Sequence, residues 1–151
     1  MRLIVMGQQA FGKDVLIKLL EEATDEVVAV YCEPDRDGKP MDPIKELALE
    51  KGLPVEQPAN FNEQETLDKL KSFDADLMVM AFVNVFVPEA ARDTPKLGSI
   101  CFHPSLLPLH RGPSAVNWPI IMGSTKSGYS WFYPSDGLDE GDSLLQWECD
   151  I

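Results

Sequence analysis

Residues 77–81, Leu-Met-Val-Met-Ala, are apolar at every position. A strand with one wet face alternates apolar and polar residues, so an unbroken apolar run predicts a strand buried on both sides, as in a parallel sheet with helices on both faces. Such a strand needs neighbours of the same kind, and the rest of the chain supplies them. Residues 2–6 read as a second buried strand, followed by the loop Gly7-Gln8-Gln9-Ala10-Phe11-Gly12 and a helix whose apolar residues Val15, Leu16, Leu19 and Leu20 recur at helical spacing.

The alternation continues. Residues 26–32 predict a strand, 33–42 a polar loop rich in Pro and Gly, and 43–51 a helix that opens on Pro43 and is ended by Gly52. Residues 53–56 predict a short strand, 63–72 a helix, 98–102 a strand and 114–122 a helix; 128–133 and 143–148 predict two strands flanking a turn at 134–141. The expected class is therefore α/β, a Rossmann-like, doubly wound, mainly parallel sheet with ligands at the carboxyl ends of its strands. The chain has no repeat, linker or low-complexity segment and reads as one domain, residues 1–151. It stops directly after a strand with no covering helix, which predicts a catalytic unit that continues beyond Ile151.

Charge and cysteine content narrow the partners. Thirteen basic against twenty-five acidic residues give a net charge of −12, which repels polyphosphates and disfavours a nucleic-acid partner. Cys32, Cys101 and Cys149 are odd in number and lack Cys-x-x-Cys spacing, so no disulfide framework or zinc site is expected. No run approaches the roughly 20 apolar residues of a membrane span, and no signal-type segment opens the chain. The expectation is a cytoplasmic protein without metal.

Gly7-x-x-x-x-Gly12-Lys13-Asp14 is close to a phosphate-binding loop, but that pattern ends in Ser or Thr. A carboxylate at a helix start would take the positive dipole end and repel phosphate, so a tight strand-to-helix turn is the preferred reading.

Two clusters carry candidate chemistry. The chain's only histidines, His103 and His110, both lie in residues 99–112. His103 falls where a buried strand ends, and Pro104 and Pro108 predict extended backbone after it, which would hold an imidazole at the sheet's carboxyl edge. That ring is either a general acid or base, or a core histidine bonded to backbone. The second cluster, Ser135-Asp136-Gly137-Leu138-Asp139-Glu140-Gly141-Asp142, holds four carboxylates. It reads as a solvated loop, a calcium site or a catalytic carboxylate on a sharp turn, although its spacing does not follow the twelve-residue calcium loop. A histidine paired with an Asp would handle protons, with acyl-type chemistry in view.

Together, His103-Pro104-Ser105-Leu106-Leu107-Pro108, Arg111-Gly112 and Gly137-Leu138-Asp139-Glu140-Gly141-Asp142 resemble the signature of the folate-dependent formyltransferases. The resemblance covers essentially the whole chain. Within that family, Pro34-Asp35-Arg36-Asp37-Gly38-Lys39 and the segment 110–118 look most like the N-terminal hydrolase domain of 10-formyltetrahydrofolate dehydrogenase, with the methionyl-tRNA formyltransferases second. The resemblance implies 10-formyltetrahydrofolate as formyl donor and tetrahydrofolate as product. It gives His103 a general-acid or oxyanion-stabilising role and Asp139 the proton of the attacking nucleophile. Val85, Phe86 and Val87 match the segment that cradles the pterin, and Ser105, Leu106, Leu107 and Pro108, with Asp139, match another part of the folate site. The family commonly has Asn two residues before the histidine, where this chain has Cys101; the dehydrogenase-type domains also depart there. Cys101 is thus a candidate in the catalytic group, either as a thiolate nucleophile or as a small buried hydrophobe. The resemblance also implies a further C-terminal domain. Alternatives are an N-formyltransferase acting on methionyl-tRNA or an amino sugar, and a folate-binding module without turnover. Against the tRNA reading, the loop 33–42 lacks the long basic insertion that tRNA-specific members carry.

Overall fold

A computed structural model describes residues 1–151. The chain divides into two units, Met1–Ser99 and Ile100–Ile151.

The first unit is built on four parallel strands: β1 (Arg2–Gly7), β2 (Glu26–Tyr31), β3 (Val55–Glu56) and β4 (Leu77–Ala81), in the order β3-β2-β1-β4. Val5 pairs with Val30 on one side and Val79 on the other, so β1 is central and its apolar run is buried across its full width. Helices α1 (Gln9–Glu22) and α2 (Pro43–Glu50) cover one face. Val5, Val30, Leu16, Ile44, Leu47 and Ala48 form the core there. On the other face Tyr31 meets the ring of Phe73 edge-on, just past α3 (Gln64–Ser72), whose Leu70 is fully buried. Helices on both faces are thus the physical reason that residues 77–81 need no polar alternation. A short helix absent from the sequence reading, α4 (Glu89–Arg92), follows β4; four residues carry too little periodicity to be read.

Gly7 and Gly12 have a different use from the one expected. Neither adopts a positive φ; what they supply is room. A Cβ on Gly7 would stand 2.4 Å from the Ala81 carbonyl oxygen, and one on Gly12 would stand 3.1 Å from the Gly7 carbonyl carbon. There is no glycine loop, because β1 runs to Gly7 and α1 begins at Gln9. Asp14 accordingly lies inside the helix. The carboxylate at the helix start is Asp42, which accepts from Gln9 N at 2.9 and 3.0 Å and also caps α2 through Ile44 N at 3.0 Å. One side chain thereby occupies both positive helix ends, where a phosphate would otherwise bind.

The second unit departs from parallel pairing. β5 (Ser99–His103) leads into it, and β6 (Lys126–Phe132) and β7 (Ser143–Asp150) follow, in the order β5-β6-β7 with antiparallel pairing throughout. The turn after β6 is too short for a crossover: Tyr133 N donates to Asp142 O and Ser135 N to Glu140 O, both at 2.9 Å. Only a hairpin can close that way. The expected helix at 114–122 shrinks to α5 (Asn117–Ile121); Ser114, at φ 63°, lies outside right-handed helical geometry. No helix is long and apolar enough to cross a membrane.

Candidate active site

His103 is the last residue of β5 and is 6% exposed. Cys101, two residues earlier, shares its face of the strand. The segment after His103 is not extended as Pro104 and Pro108 suggested. It folds back in a turn in which Leu109 N donates to Leu106 O at 3.0 Å, and the fully buried Ser105 donates its hydroxyl to Leu109 O at 2.6 Å. Local hydrogen bonding outweighs the extended bias of residues preceding proline.

Ser130, directly opposite His103 in the β5/β6 register, clamps this fold-back. Its hydroxyl accepts from Leu107 N at 3.0 Å and donates to Ser105 O at 2.7 Å. Gln146 of β7, paired with Ser130, donates to Leu107 O at 2.7 Å and to the Ser130 hydroxyl at 2.9 Å. The clamp delivers the His110 carbonyl to Nε2 of His103 at 2.9 Å. His110 therefore serves through its backbone, and the clustering of two imidazoles in the sequence does not make a two-imidazole site.

Asp139 arrives from the β6–β7 turn. Its Oδ2 lies 3.5 Å from His103 Nδ1 and accepts from Gly112 N at 2.6 Å. Oxygen acceptors thus face both ring nitrogens of His103, an arrangement that an imidazole carrying two N–H groups satisfies in full. Backbone in the left-handed region surrounds the pair: His110 at φ 53°, Gly112 at 82°, Ser114 at 63° and Asp139 at 44°. Non-glycine residues there are held at a cost of about 1–3 kcal/mol each by their surroundings, and such strain gathers at functional sites. No group of three or more His, Cys, Asp or Glu side chains is placed to hold a metal ion.

The other expected site residues divide. Burial, with the nearby Asp139 charge adding to it, pushes the Cys101 thiol up to about 12. That shift disfavours the thiolate that a nucleophilic role would need and is in keeping with a small buried hydrophobe. Ser105 and Leu107 are buried, with the Ser105 hydroxyl and both Leu107 backbone groups already bonded. They shape the loop, while Leu106 and Pro108 are the members with accessible surface. In the first unit Val85 and Phe86 are exposed and line a recess with Phe82 and Gln8. Val87 does not line it: it is 4% exposed, and its carbonyl accepts from Arg92 Nη1 at 3.0 Å. Sequence reasoning missed Ser130, Gln146 and the Gly112 amide. The first two are polar residues on strand positions that meet only through the hairpin register.

A protein family described as formyl transferase matches residues 1–151. The chain belongs to that family. Cytosolic 10-formyltetrahydrofolate dehydrogenase of Xenopus tropicalis is 41% identical over 156 aligned residues, covering all of this chain and 17% of the relative. The mitochondrial 10-formyltetrahydrofolate dehydrogenase of Mus musculus is 43% identical with the same coverage. Methionyl-tRNA formyltransferase of Clostridioides difficile is 37% identical, with half of its length covered. The chain therefore spans about a sixth of the dehydrogenases it matches. Among solved structures, phosphoribosylglycinamide formyltransferase of Bacillus halodurans superposes with a TM-score of 0.84 at 20% identity, covering all of this chain and 80% of that one. This is the formyltransferase fold, Rossmann-like in its parallel part, and membership supports an enzyme of formyl-transfer chemistry in folate one-carbon metabolism.

Proposed function

We propose that this domain removes or passes on the formyl group of 10-formyltetrahydrofolate, releasing tetrahydrofolate, with His103 and Asp139 as its catalytic pair. The observation that carries the reading is the convergence of Asp139 Oδ2 on His103 Nδ1 at 3.5 Å, made by the end of β5 and the β6–β7 turn, which share no local sequence. In the hydrolytic form, Asp139 takes a proton from water as the water oxygen bonds to the formyl carbon. The tetrahedral species places negative charge on the former carbonyl oxygen, and a positively charged imidazole beside it stabilises that charge. Collapse breaks the bond to the folate N10, which leaves with a proton, giving tetrahydrofolate and formate. Serving the oxyanion requires Nε2 of His103 to leave the His110 carbonyl, a charge-assisted hydrogen bond worth about 1.5–3 kcal/mol net.

Identity above 40% over the whole chain to two dehydrogenases named for this folate supports the donor. A net charge of −12 and an exposed 33–42 loop dominated by Glu33, Asp35, Asp37 and Asp42 weigh against tRNA as acceptor. We further propose a cytoplasmic location and a larger protein that supplies the acceptor. The full-length protein, incubated with 10-formyltetrahydrofolate, should release tetrahydrofolate, and 5-formyltetrahydrofolate should bind without turnover. Failure of both refutes the reading; binding with no product from any acceptor would leave a folate-binding module.

A further inference from the structure

Of the charged side chains in the first unit, Arg92 alone is buried. It is the last residue of α4, and its Nη1 donates to the Val87 carbonyl at 3.0 Å. Taking a guanidinium out of water is costly, and packing alone is served at lower cost by an apolar residue of similar length. The use of this side chain therefore lies in what its N–H groups hold. Its own mounting is firm: the Arg92 N–H donates to Pro88 O at 3.0 Å, and the Arg92 carbonyl accepts at 2.6 Å from the hydroxyl of the buried Ser99, first residue of β5.

The segment tied to this mounting has no regular structure. Residues 82–87 run from the end of β4 at Ala81 to the Pro88 cap of α4 and belong to neither helix nor strand. One end is set by the register of β4 with β1, which places Gly7 opposite Ala81. At the other end Arg92 holds the buried Val87. Between these anchors Phe82 sits at φ 61°, a conformation that a bulky residue seldom holds unless its surroundings impose it, and Val85 and Phe86 stand exposed. Without the far anchor the strain at Phe82 could relax and the segment would sample other arrangements. A ligand of Val85 and Phe86 would then have to order the segment as it binds, at a cost in affinity.

We propose that Arg92 is a positioning residue for the folate: by fixing the Val87 carbonyl it keeps Val85 and Phe86 in the arrangement that receives the pterin. The inference rests on the folate reading given above, and it adds a residue that is not among those lining the recess of Val85 and Phe86. Arg92 acts through Val87 on binding and takes no part in the proton transfers. Its loss therefore falls on folate affinity and KM and spares kcat.

Arg92→Met in the full-length protein keeps the length and apolar contact of the side chain and removes its donors. It should weaken 5-formyltetrahydrofolate roughly tenfold in a fluorescence titration and raise KM for 10-formyltetrahydrofolate alike, with kcat within about twofold. Arg92→Lys retains one donor for the Val87 carbonyl and should recover most of that affinity, standing about threefold below the unmodified protein, so it also serves if Arg92→Met does not fold. With no folate present, deuterium uptake followed by mass spectrometry should quicken at residues 82–87 in Arg92→Met and stay unchanged in β1 and β2. Unchanged uptake at 82–87 in the folded variants, faster uptake across the whole first unit, or a fall in kcat at constant KM would overturn the role. If the unmodified protein binds no folate, the folate reading fails and this role with it; equal binding by the unmodified protein and a folded Arg92→Met defeats the role of Arg92 alone.

Discussion

Replacing Asp139 with asparagine removes one charge and almost nothing else. The carboxamide oxygen can still accept from Gly112 N, the bond that the carboxylate makes at 2.6 Å, and asparagine tolerates the φ of 44° at this position. The structural loss is the difference between a charge-assisted and a neutral hydrogen bond, about 1 kcal/mol, which lowers Tm by roughly 2–4 °C in a domain of this size. Asp139→Ala should be worse, because the Gly112 N–H loses its acceptor and a Cβ without a local polar group holds the left-handed conformation at an added cost of about 1 kcal/mol, roughly 2–3 kcal/mol in all. The chemical loss runs in another order. Without a carboxylate to take the proton, both variants should lose on the order of 10²–10⁴ in rate, about 2.7–5.4 kcal/mol of barrier. Asp139→Asn is therefore the discriminating variant, since its activity should collapse while Tm and 5-formyltetrahydrofolate affinity barely move. Formyl release by absorbance, folate affinity by fluorescence titration and Tm by calorimetry test the three parts on the full-length protein. His103→Ala should match it in rate, and the double variant should be little worse than either single one if the pair acts as a unit. Near-normal turnover in a well-folded Asp139→Asn protein would refute the mechanism, the more so if Cys101→Ala were inactive.

Cys101→Ala should retain turnover, and in the unmodified protein iodoacetamide at pH 8 should label the exposed Cys149 well before Cys101, as peptide mapping would show. The folded Cys101 thiol sits near 12 against a reference of 9.0, so the folded state holds its proton more tightly. That contribution to stability should be complete below about pH 9 and fade as pH rises towards 12, a slope that alkaline denaturation would show reduced in Cys101→Ala. Gly7→Ala should destabilise by about 1–3 kcal/mol in urea unfolding, because its Cβ would stand 2.4 Å from the Ala81 oxygen. ATP should show no heat of binding to the first unit, and Asp42→Ala should lower stability by about 1 kcal/mol through two lost helix contacts.

Much of this protein was legible in the order of its residues. Apolar runs at 2–6 and 77–81 implied strands buried on both faces, because only helical cover on each side removes the need for alternation; β1, β4 and the helices α1, α2 and α3 follow from that. His103 at a strand end and Asp139 in a glycine-rich turn could also be marked as candidates, because polar chemistry concentrated there beside apolar surroundings. What the sequence could not determine was register and return. Whether residues 126–132 and 143–150 pair parallel or antiparallel depends on how the turn between them closes, and with that pairing goes the meeting of Ser130, Gln146 and Leu107 that carries the His110 carbonyl to His103. Asp42 shows the same limit: as a local residue it is one more polar member of a loop, yet the fold sets it across the start of α1. Short-range propensity records which segments want to be helix or strand, but long-range hydrogen bonds are chosen by the packing of whole elements, and those bonds place the carbonyl, the amide and the carboxylate around one imidazole.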